Sequence, residues 1–368
     1  MKKMLILSSF PAPYRVHVFE GLAQKYQADV FFGMKTDATR DQKFYAQSEN
    51  LNMYVLGNEA ADKYFAECIS KLKQYDIIVA YDWYLPYAMK VLLRAIVYRI
   101  PYVVNCDGAF IKTDQGFNDI IKSNIKRFFI QKAKVCFASG EYAKKYFLHY
   151  GAKEQNVKIH NFTSLHKKDI LDCVPNDEKK SEYKSRLLLQ DKKTVLSIGQ
   201  FIPRKGYDVL LDAWGDLDTS YELVIIGGGP DKEKYQKIIQ EKNYQNVRLI
   251  DFMPKEQVMD YYIAADIFVL PTREDIWGLV INEAMACGLP VVTTNMCIAG
   301  NEYVQNDLNG YIVPIDNAKE LYAAMKKVLF DTELSQKMAL ENIKLMKECT
   351  IERIVESHID AISIVLGE

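Results

Sequence analysis

The chain has 368 residues, too many for one ordinary hydrophobic core, and this length predicts two domains. Hydrophobic residues make up 49% and charged residues 26%, which excludes a disordered or collagen-like chain. The net charge of −1 gives no sign of a protein that binds nucleic acid through a general excess of positive charge.

Short apolar runs in residues 1–165 predict a first domain built on a parallel sheet. Most of them are continuously apolar rather than alternating, as strands covered by helices on both faces require. Segments with helical periodicity, such as 16–26 and 87–99, separate the runs and complete a βαβ pattern. The predicted strands are 4–9, 28–33, 53–57, 76–82, 101–106, 134–140 and 157–161.

Residues 166–191 are polar and highly charged, and we interpret them as a linker that ends in a short helix. A second series of apolar runs then predicts another βαβ domain over residues 192–345. Such domains bind ligands at the carboxyl ends of their strands, so two of them predict a site in the cleft between them. The second series of strands is predicted at 194–200, 221–229, 247–252, 266–272, 290–294 and 310–315.

Cysteine usage and the apolar runs favour a cytoplasmic protein. The seven cysteines are widely spaced and form no C-x-x-C pair, which argues against a disulfide framework or a zinc site. The first residues resemble a signal peptide, but their apolar run is too short and no cleavage motif follows it. No stretch approaches the roughly 20 apolar residues of a membrane span.

Charge is divided unevenly along the chain. Residues 1–165 contain 23 Lys and Arg against 15 Asp and Glu, a net +8, whereas residues 166–368 sum to −9. Within the basic half, residues 118–134 combine helically spaced apolar side chains with five basic ones. This pattern fits a crossover helix with a solvated face, and it also fits a helix that lies on an anionic membrane. Its apolar positions are Ile121, Ile125, Phe128 and Phe129, and its basic ones Lys122, Lys126, Arg127, Lys132 and Lys134.

The most informative segment is DIWGLVINEAMACGLPVV, residues 275–292. Gly278 begins a predicted helix that ends at Gly288, and the amino end of that helix suits a diphosphate because its amides and dipole are positive. Glu283 lies one turn further, where a carboxylate cannot usefully meet a phosphate but can accept hydrogen bonds from a ribose diol. The alternative is a surface glutamate on an ordinary crossover helix.

Two earlier segments also contain residues suited to a phosphate. In residues 198–214 a strand ends at Gly199, and the cations Arg204 and Lys205 open the next helix, where they could neutralise a leaving diphosphate or belong to a solvated turn. In residues 225–235 a strand runs into three glycines, which allow either close approach to a ligand or a plain tight turn.

The segment PTREDIWGLVINEAMACGLPVV resembles the signature of the family 4 glycosyltransferases. That signature is an acidic residue, seven positions, then Glu followed by Ala-Met-Ala-x-Gly-x-Pro-Val; Asp275 and Glu283 have this spacing, although the family usually has Glu first. The resemblance implies the GT-B fold, in which two Rossmann-like domains face each other across a cleft, and retaining transfer from a nucleotide sugar. It is close over residues 190–315, and it implies that a final helix, 346–368, crosses back to the first domain.

The resemblance also implies roles for the donor-side residues. Glu283 would bind the ribose, and the amides of Leu279 and Val280 would hold the diphosphate. Asp275 would contact the donor sugar, with Glu274 able to share that role. Trp277 would either line the sugar or pack. The other donor-side candidates are Gly199, Gly228, Gly229, Met253, Ile276 and Gly278.

Catalysis would depend on cations rather than on a metal ion. Lys205 and Arg204 would stabilise the leaving diphosphate, so no metal cofactor is expected. Gln200 stands where the family often has an arginine, and Arg204 could substitute for it.

The first domain departs further from the family. Residues 10–15 replace the expected glycine-rich loop, and Asp107 stands near the place where many members have a histidine close to the reacting sugar. Asp107 is therefore a catalytic candidate, with an Asx turn beside Gly108 as the alternative. The acceptor-side candidates are Pro13, Tyr14, Arg15 and Asp82.

The resemblance to this family implies a retaining glycosyltransferase of bacterial capsule, exopolysaccharide or lipopolysaccharide synthesis. It would move a sugar from a nucleoside diphosphate sugar, a UDP-sugar by preference, to a saccharide hydroxyl on a lipid-linked acceptor, and it would bind no nucleic acid. The competing hypothesis is a non-catalytic nucleotide-sugar-binding or scaffold subunit of the same fold. Gln200 and the Asp at position 275 motivate this hypothesis, and donor hydrolysis would separate the two.

Overall fold

A computed structural model describes residues 1–33, 45–111, 116–217 and 219–368. The chain divides into two compact units. Unit 1 comprises Met1–Ser164 with Cys349–Glu368, and unit 2 comprises Leu165–Glu348. Each contains a parallel β-sheet with helical connections, so the predicted α/β class with two Rossmann-like domains is confirmed.

Unit 1 contains a sheet with the strand order β3-β2-β1-β4-β5-β6-β7 among the described residues. Every pairing in this sheet is parallel, and every strand predicted in residues 1–165 is found within a few residues of its predicted limits. The elements are β1 (Lys3–Ser8), α1 (Pro13–Ala23), β2 (Gln27–Phe32), β3 (Asn52–Val55), α2 (Glu59–Ser70), β4 (Ile77–Ala80), α3 (Pro86–Tyr98), β5 (Tyr102–Cys106), α4 (Phe117–Lys132), β6 (Val135–Ser139), α5 (Glu141–His149) and β7 (Val157–His160).

Helices α2 to α5 pack on one shared core cluster of unit 1, and α1 packs against a helix from the end of the chain. That final helix, labelled α14 after those of unit 2, spans Ile351–Leu366, and its N-cap hydroxyl, from Thr350, accepts the Arg353 amide. A Cβ on Gly21 of α1 would lie 2.5 Å from Val355 Cγ2, so glycine lets the two helices approach closely. The imidazole of His358 stacks on Phe137, with ring centroids 3.7 Å apart.

Unit 2 contains a second parallel sheet, with the order β10-β9-β8-β11-β12-β13 in the described part of the chain. Strand order reverses around β8, and β8 pairs with both β9 and β11. The elements are α6 (Asp177–Arg186), β8 (Lys193–Ile198), α7 (Tyr207–Trp214), β9 (Tyr221–Gly227), α8 (Lys232–Glu241), β10 (Val247–Asp251), α9 (Lys255–Ala264), β11 (Ile267–Leu270), α10 (Leu279–Ala286), β12 (Val291–Thr294), α11 (Ile298–Tyr303), β13 (Gly310–Val313), α12 (Ala318–Phe330) and α13 (Thr332–Met346).

The segment predicted as a linker, 166–191, is part of unit 2 rather than a separate connection. Its helix α6 packs against α9, and Lys180 and Lys184 form ion pairs with the half-buried Asp266 at 2.8 and 3.2 Å. Burial alone would raise the pKa of Asp266, but the two lysines and the Thr194 amide together hold it below its usual value. The segment therefore packs on unit 2 through Lys180 and Lys184, while most of its other polar side chains are exposed to solvent.

Candidate active site

The donor-side candidates of unit 2 gather on the loops that follow β8 and β11. These two strands are neighbours in the sheet, so the loops at their carboxyl ends meet at the same edge. The first loop contains Gly199, Arg204 and Lys205, and the second contains Asp275 and Gly278. The backbone joins them directly, because the Arg273 amide donates to the Arg204 carbonyl at 2.7 Å.

Lys205 is held in a short 3-10 turn, Pro203–Lys205, which ends at Gly206. Gly206 has φ +69°, and a Cβ there would lie 2.1 Å from the Pro271 carbonyl oxygen, so only glycine fits. The aliphatic stem of Lys205 passes Gly199, where an added Cβ would sit 3.5 Å from Cε. Its Nζ reaches the Asp275 carboxylate, and the Nζ–Oδ2 distance is 2.5 Å.

The loop that contains Asp275 is fastened to the start of α11 by backbone hydrogen bonds. The Asp275 amide donates to Met296 O at 2.8 Å, and the Ile298 amide donates to Asp275 O at 3.2 Å. The loop therefore holds the Asp275 backbone rigidly and leaves only its short side chain able to move. Arg204 is more exposed than Lys205; its Nη1 donates to Glu274 O at 2.5 Å and lies 4.0 Å from Asp275 Oδ1.

Trp277 packs inside unit 2. Its side chain is buried, its Nε1 donates to Asn282 Oδ1 at 3.0 Å, and its ring meets Tyr303 edge-on with centroids 5.8 Å apart. Of the two roles considered for Trp277, the structure gives it packing rather than the lining of a sugar. The neighbouring Ile276 side chain is exposed instead.

Helix α10 begins where the sequence placed it. Gly278 is its N-cap with φ +96°, and a Cβ there would lie 2.8 Å from Cys297 Sγ. Glycine is therefore required both for the positive φ and for the space beside Cys297. Leu279 and Val280 follow as the first residues of the helix, where backbone amides have no intrahelical acceptor. The helix dipole adds positive potential at this end.

Glu283 has a partner that the sequence did not indicate. The hydroxyl of Tyr262 on α9 donates to Glu283 Oε2 at 3.0 Å. Tyr262 is fully buried, and burial together with the nearby Glu283 carboxylate raises its pKa well above the usual value, so the hydroxyl stays protonated as a donor. Tyr262 therefore orients the glutamate proposed to bind a ribose. Only its place in an apolar helical pattern was visible in the sequence, and that pattern predicts core packing.

The three glycines after β9 are used for contact between loops. A Cβ on Gly227 would meet the Gly199 carbonyl oxygen at 1.9 Å, and one on Gly229 would meet the Phe201 oxygen at 2.6 Å. The Phe201 amide also donates to Gly228 O at 2.8 Å. These glycines therefore allow the loops after β8 and β9 to touch. Met253, proposed as a neighbour of the base, is half-buried just after β10.

Arg273 is a second residue that the sequence did not single out. It donates to both carboxylate oxygens of Asp208 and, through Nε, to Asp316 at 2.6 Å. Its hydrogen bonds with Asp208 lead the interactions that raise its pKa above the usual value, although partial burial opposes them. Because both of its acidic partners already bind it, Arg273 stabilises the loop rather than adding a further cation for a ligand.

The acceptor-side candidates of unit 1 form a buried ion-pair network around Arg15. Its Nη1 lies 2.5 Å from Asp82 Oδ2, and its Nη2 lies 2.6 Å from Asp107 Oδ2. The same guanidinium donates to the hydroxyls of Ser8 and Ser9 at 2.8 and 3.1 Å. Burial opposes the charge of Arg15, but the two carboxylates more than compensate and raise its pKa well above the usual value.

Asp82 and Asp107 are therefore bound carboxylates. The Ser9 amide donates to Asp82 Oδ2 at 2.6 Å. Burial alone would raise the pKa of Asp82, but Arg15 and Ser9 lower it below the usual value. Asp107, considered as a catalytic group or an Asx turn, accepts from the side-chain amide Nδ2 of Asn105 at 2.5 Å and pairs with Arg15.

The network continues to a histidine that the sequence did not single out. His160 Nε2 lies 3.3 Å from Asn105 Oδ1, and burial lowers the pKa of His160 well below its usual value. Its Nδ1 has no hydrogen-bond partner in the described part of the chain. Of the remaining candidates, Pro13 begins α1, and Tyr14 is buried with its ring edge-on to Phe162 at 5.2 Å.

The described residues contain neither a cluster suited to a metal ion nor a helix that could span a membrane. Within 1–33, 45–111, 116–217 and 219–368, no group of three or more His, Cys, Asp or Glu side chains is arranged to hold a metal ion. None of the helices in these ranges is long and apolar enough to cross a bilayer.

Solved structures define the class of fold. Anabaena HepE in complex with UDP superposes with a TM-score of 0.77 and 17% identity, over 98% of this chain and 99% of that one. The lipopolysaccharide outer core galactosyltransferase WaaB, without ligand, superposes with a TM-score of 0.69 and 16% identity, over 98% and 99%. The chain therefore has the GT-B fold of these glycosyltransferases.

Sequence comparison narrows this class for part of the chain. Residues 178–344 match the family model described as glycosyl transferases group 1, which covers most of unit 2 and the whole candidate donor site. An uncharacterized glycosyltransferase of Haemophilus influenzae is 29% identical over 177 residues, 47% of this chain and 50% of its own length. A GDP-mannose-dependent phosphatidylinositol monomannoside mannosyltransferase of Mycolicibacterium smegmatis is 33% identical over 132 residues, 32% and 34%. The chain spans about half the length or less of these curated relatives.

Proposed function

We propose that the protein is a retaining glycosyltransferase of the family 4 type that uses a nucleoside diphosphate sugar. The observation that carries the proposal is the placement of the Lys205 ammonium beside Asp275 at the amino end of α10. These residues lie in the segment that matches the group 1 family. Lys205, Arg204 and the first amides of α10 supply the positive charge that a departing diphosphate needs.

The donor would be held by groups with separate tasks. The diphosphate would lie against the amides of Leu279 and Val280 and near Lys205, while Glu283 would accept hydrogen bonds from the ribose. Tyr262 would keep the Glu283 carboxylate in place through its 3.0 Å hydrogen bond. Asp275 and the exposed Ile276 would face the sugar, and the half-buried Met253 would lie near the base.

The base of the donor is proposed to be uracil. Support comes from HepE, whose structure contains UDP, whereas the mycobacterial relative uses GDP-mannose. A ligand that binds only the native protein raises its melting temperature, so thermal protection can rank UDP, GDP and their sugars. We expect UDP and at least one UDP-sugar to protect. Protection by GDP compounds alone would show that the base is guanine rather than uracil. Protection by none of these nucleotides would contradict a donor site.

Turnover separates the enzyme from a non-catalytic subunit. A glycosyltransferase should release UDP from its donor, slowly to water and faster with an acceptor. Tight UDP binding without release from any UDP-sugar would favour a subunit that only binds nucleotide sugars. Gln200 and Asp275, which depart from the family pattern, keep this second candidate in the test.

Protein cations are proposed to do the work of a metal ion. Lys205 and Arg204 stand where the charge of a leaving diphosphate develops, and the helix end adds to them. Transfer should therefore persist after treatment with EDTA. A loss of activity that added Mg²⁺ or Mn²⁺ restores would contradict this part of the proposal.

The acceptor is proposed to be a saccharide hydroxyl, presented on a lipid carrier in bacterial surface polysaccharide synthesis. Support for the pathway comes from names alone, since WaaB is a lipopolysaccharide galactosyltransferase and a further relative of Klebsiella pneumoniae is encoded in a cps region. On the acceptor side, Asp107 at the end of β5 keeps a partly exposed carboxylate, whereas Asp82 after β4 is buried against Arg15. Product analysis with lipid-linked and soluble acceptors of the same sugar sequence would test whether a lipid carrier is needed. Equal transfer to the soluble acceptor would contradict the need for a carrier.

We propose that the protein is cytoplasmic and that unit 1 binds an anionic membrane surface. The surface of α4 supports this proposal. This helix exposes aliphatic and aromatic side chains among three lysines and Arg127, while Phe129, predicted on the same face, is buried in the core instead. Unit 1 has 24 basic and 19 acidic residues, a net +5, because its carboxyl-terminal segment is acidic. The exposed apolar side chains of α4 are Ile120, Ile121, Ile125 and Phe128.

Vesicle sedimentation can test the membrane proposal. The protein should sediment with vesicles rich in phosphatidylglycerol, less with phosphatidylcholine alone, and less at high salt, since exposed charges are then screened. Phe128→Ser should weaken this binding, whereas Leu340→Ser, at an even more exposed apolar residue of unit 2, should not. Equal sedimentation of wild type and Phe128→Ser would contradict a role for α4.

A further inference from the structure

We infer that Asp275 is an internal counter-anion that competes with the donor diphosphate for Lys205. In the protein without donor, its carboxylate neutralises the lysine. When a diphosphate binds, Lys205 passes to the phosphate, and the carboxylate becomes available to the hydroxyl groups of the donor sugar. The inference rests on the proposed function and adds a coupling between the two halves of the donor.

The position of the carboxylate is the first observation. Asp275 Oδ2 lies 2.5 Å from Lys205 Nζ, and Oδ1 lies 4.0 Å from Arg204 Nη1. A Cβ on Gly278, the N-cap of α10, would lie 3.6 Å from Asp275 Oδ2. The Asp275 carboxylate therefore contacts or lies next to all three positive groups that are proposed to bind the diphosphate: Lys205, Arg204 and the amino end of α10. An incoming anion must displace it or share those groups with it.

The shielding of the pair is the second observation. The side chains of Lys205 and Asp275 are only 10% and 14% exposed. A largely buried charge without a partner is costly, so neither side chain should leave the other before a replacement is present. We therefore expect exchange of partners during binding rather than prior opening of the ion pair.

The mobility of the two side chains decides which one moves. The backbone of Asp275 is fastened to Met296 and Ile298, and its side chain has a single methylene. The backbone of Lys205 is held by the Ile202 carbonyl, but its four-carbon stem passes Gly199, which has no side chain to restrict it. Lys205 can therefore swing between carboxylate and phosphate while Asp275 stays in place to meet the sugar.

This exchange makes a prediction that a purely sugar-binding Asp275 does not make. UDP lacks the sugar, so it must take Lys205 from Asp275 without offering the carboxylate a hydroxyl in return. Removing the negative charge should then tighten UDP binding while it damages transfer. A residue that only contacts the sugar would leave the affinity for UDP unchanged.

The experiment is calorimetric titration with UDP, or with GDP if UDP does not bind, of the full-length protein and its variants. Asp275→Asn should lower the Kd for UDP about tenfold, within the range of ordinary coupling between sites, and should reduce sugar transfer by about 100-fold or more. Asp275→Glu should keep the wild-type affinity because it keeps the charge. In a Lys205→Met background, Asp275→Asn should tighten UDP binding clearly less, because the competition for Lys205 is gone and only the more distant Arg204 and helix end remain.

The matched control is Asp316→Asn. It removes a negative charge from the same edge of the sheet, where Asp316 pairs with Arg273 at 2.6 Å, without touching Lys205. Its Kd for UDP should stay within about twofold of wild type, because exposed charges are screened by salt. Equal tightening by Asp316→Asn would show a general field effect and would overturn the inference.

Other outcomes also decide the matter. Unchanged or weaker UDP binding by folded Asp275→Asn overturns the inference and leaves the proposed function standing. If Asp275→Asn does not fold, Asp275→Ser replaces it with the same expectation, and loss of both variants would show that the carboxylate is structural rather than exchangeable. Absence of UDP and GDP binding by the wild type would overturn the proposed function and the inference with it.

Discussion

The two units use cations and carboxylates in opposite ways at the carboxyl ends of their central strands. In unit 1, Arg15 is buried between Asp82 and Asp107, and serines and an asparagine saturate the remaining contacts. In unit 2, Lys205 and Asp275 form a single short ion pair at the amino end of a helix. A branched, saturated network resists exchange, whereas a single pair of one flexible and one fixed side chain can exchange its partner.

Removing the cation of unit 1 should have the largest effect, and the effect should be on stability. Arg15→Met leaves two buried carboxylates without their cation, which should lower the free energy of unfolding by about 3–5 kcal/mol. Chemical denaturation, monitored by hydrogen exchange within each unit, measures this loss of unfolding free energy. The exposed pair Lys25–Glu368 in the same unit offers a control, since Lys25→Met should cost less than about 1 kcal/mol. A small loss for Arg15→Met would contradict a structural network.

Removing the cation of unit 2 should act on catalysis instead. Lys205→Met should lower the rate of transfer about 100- to 1,000-fold, because a preorganised positive group at the leaving diphosphate is lost. Its fold should survive, since Asp275 remains near Arg204 and the helix end. The control is Lys242→Met, which removes an exposed lysine paired with Asp212. The steady-state transfer rates of the two variants are compared. Equal rates for the two variants would remove Lys205 from the mechanism.

Acidification should weaken unit 1 before unit 2. Burial lowers the pKa of His358 to about 4, so the folded state keeps this imidazole neutral while the unfolded chain binds a proton below pH 6.5. The stability that His358 contributes is therefore complete above pH 6.5 and is lost as the pH falls toward 4, by up to about 3 kcal/mol. Hydrogen exchange at pH 7 and pH 5 should show the loss in unit 1, and His358→Phe should reduce the dependence, leaving the part due to His160, whose pKa burial also lowers. A dependence unchanged in His358→Phe would assign it to other groups.

The hydrogen bond between Tyr262 and Glu283 should have the smallest effect. Tyr262→Phe should raise the KM for the donor about fivefold to tenfold, near 1 kcal/mol, with little change in kcat, because the glutamate loses its orienting donor. Tyr244→Phe removes a similar hydrogen bond, from its hydroxyl to Leu211 O at 3.0 Å, elsewhere in unit 2. It should leave the KM for the donor unchanged, and a matching rise would show a general loss of stability.

The sequence predicted the parallel sheets well because buried strands are continuous apolar runs that local composition reveals. It misassigned residues 166–191, because Lys180 and Lys184 look solvated until their partner Asp266, more than 80 residues away, is placed beside them. A polar segment that folds onto a half-buried acid has the same composition as a linker, and only tertiary structure separates the two.

The candidate site divides in the same way. The glycines and the Asp275…Glu283 spacing could be predicted, because backbone turns and helix ends leave local signals. The Arg15 network could not, since Arg15 meets Asp82 and Asp107 across 67 and 92 residues of sequence. The role of Tyr262 could not be predicted for another reason. A tyrosine in an apolar helical pattern predicts core packing, and that pattern does not reveal the partner of its hydroxyl.

Hydrogen exchange with and without UDP tests most directly the claim that unit 2 has a nucleoside diphosphate site built around Lys205. The account predicts that UDP slows exchange in residues 199–206 and 275–283, and that Lys205→Met weakens this protection at the same UDP concentration. Protection confined to unit 1, or undiminished protection of the same segments in Lys205→Met, would contradict it.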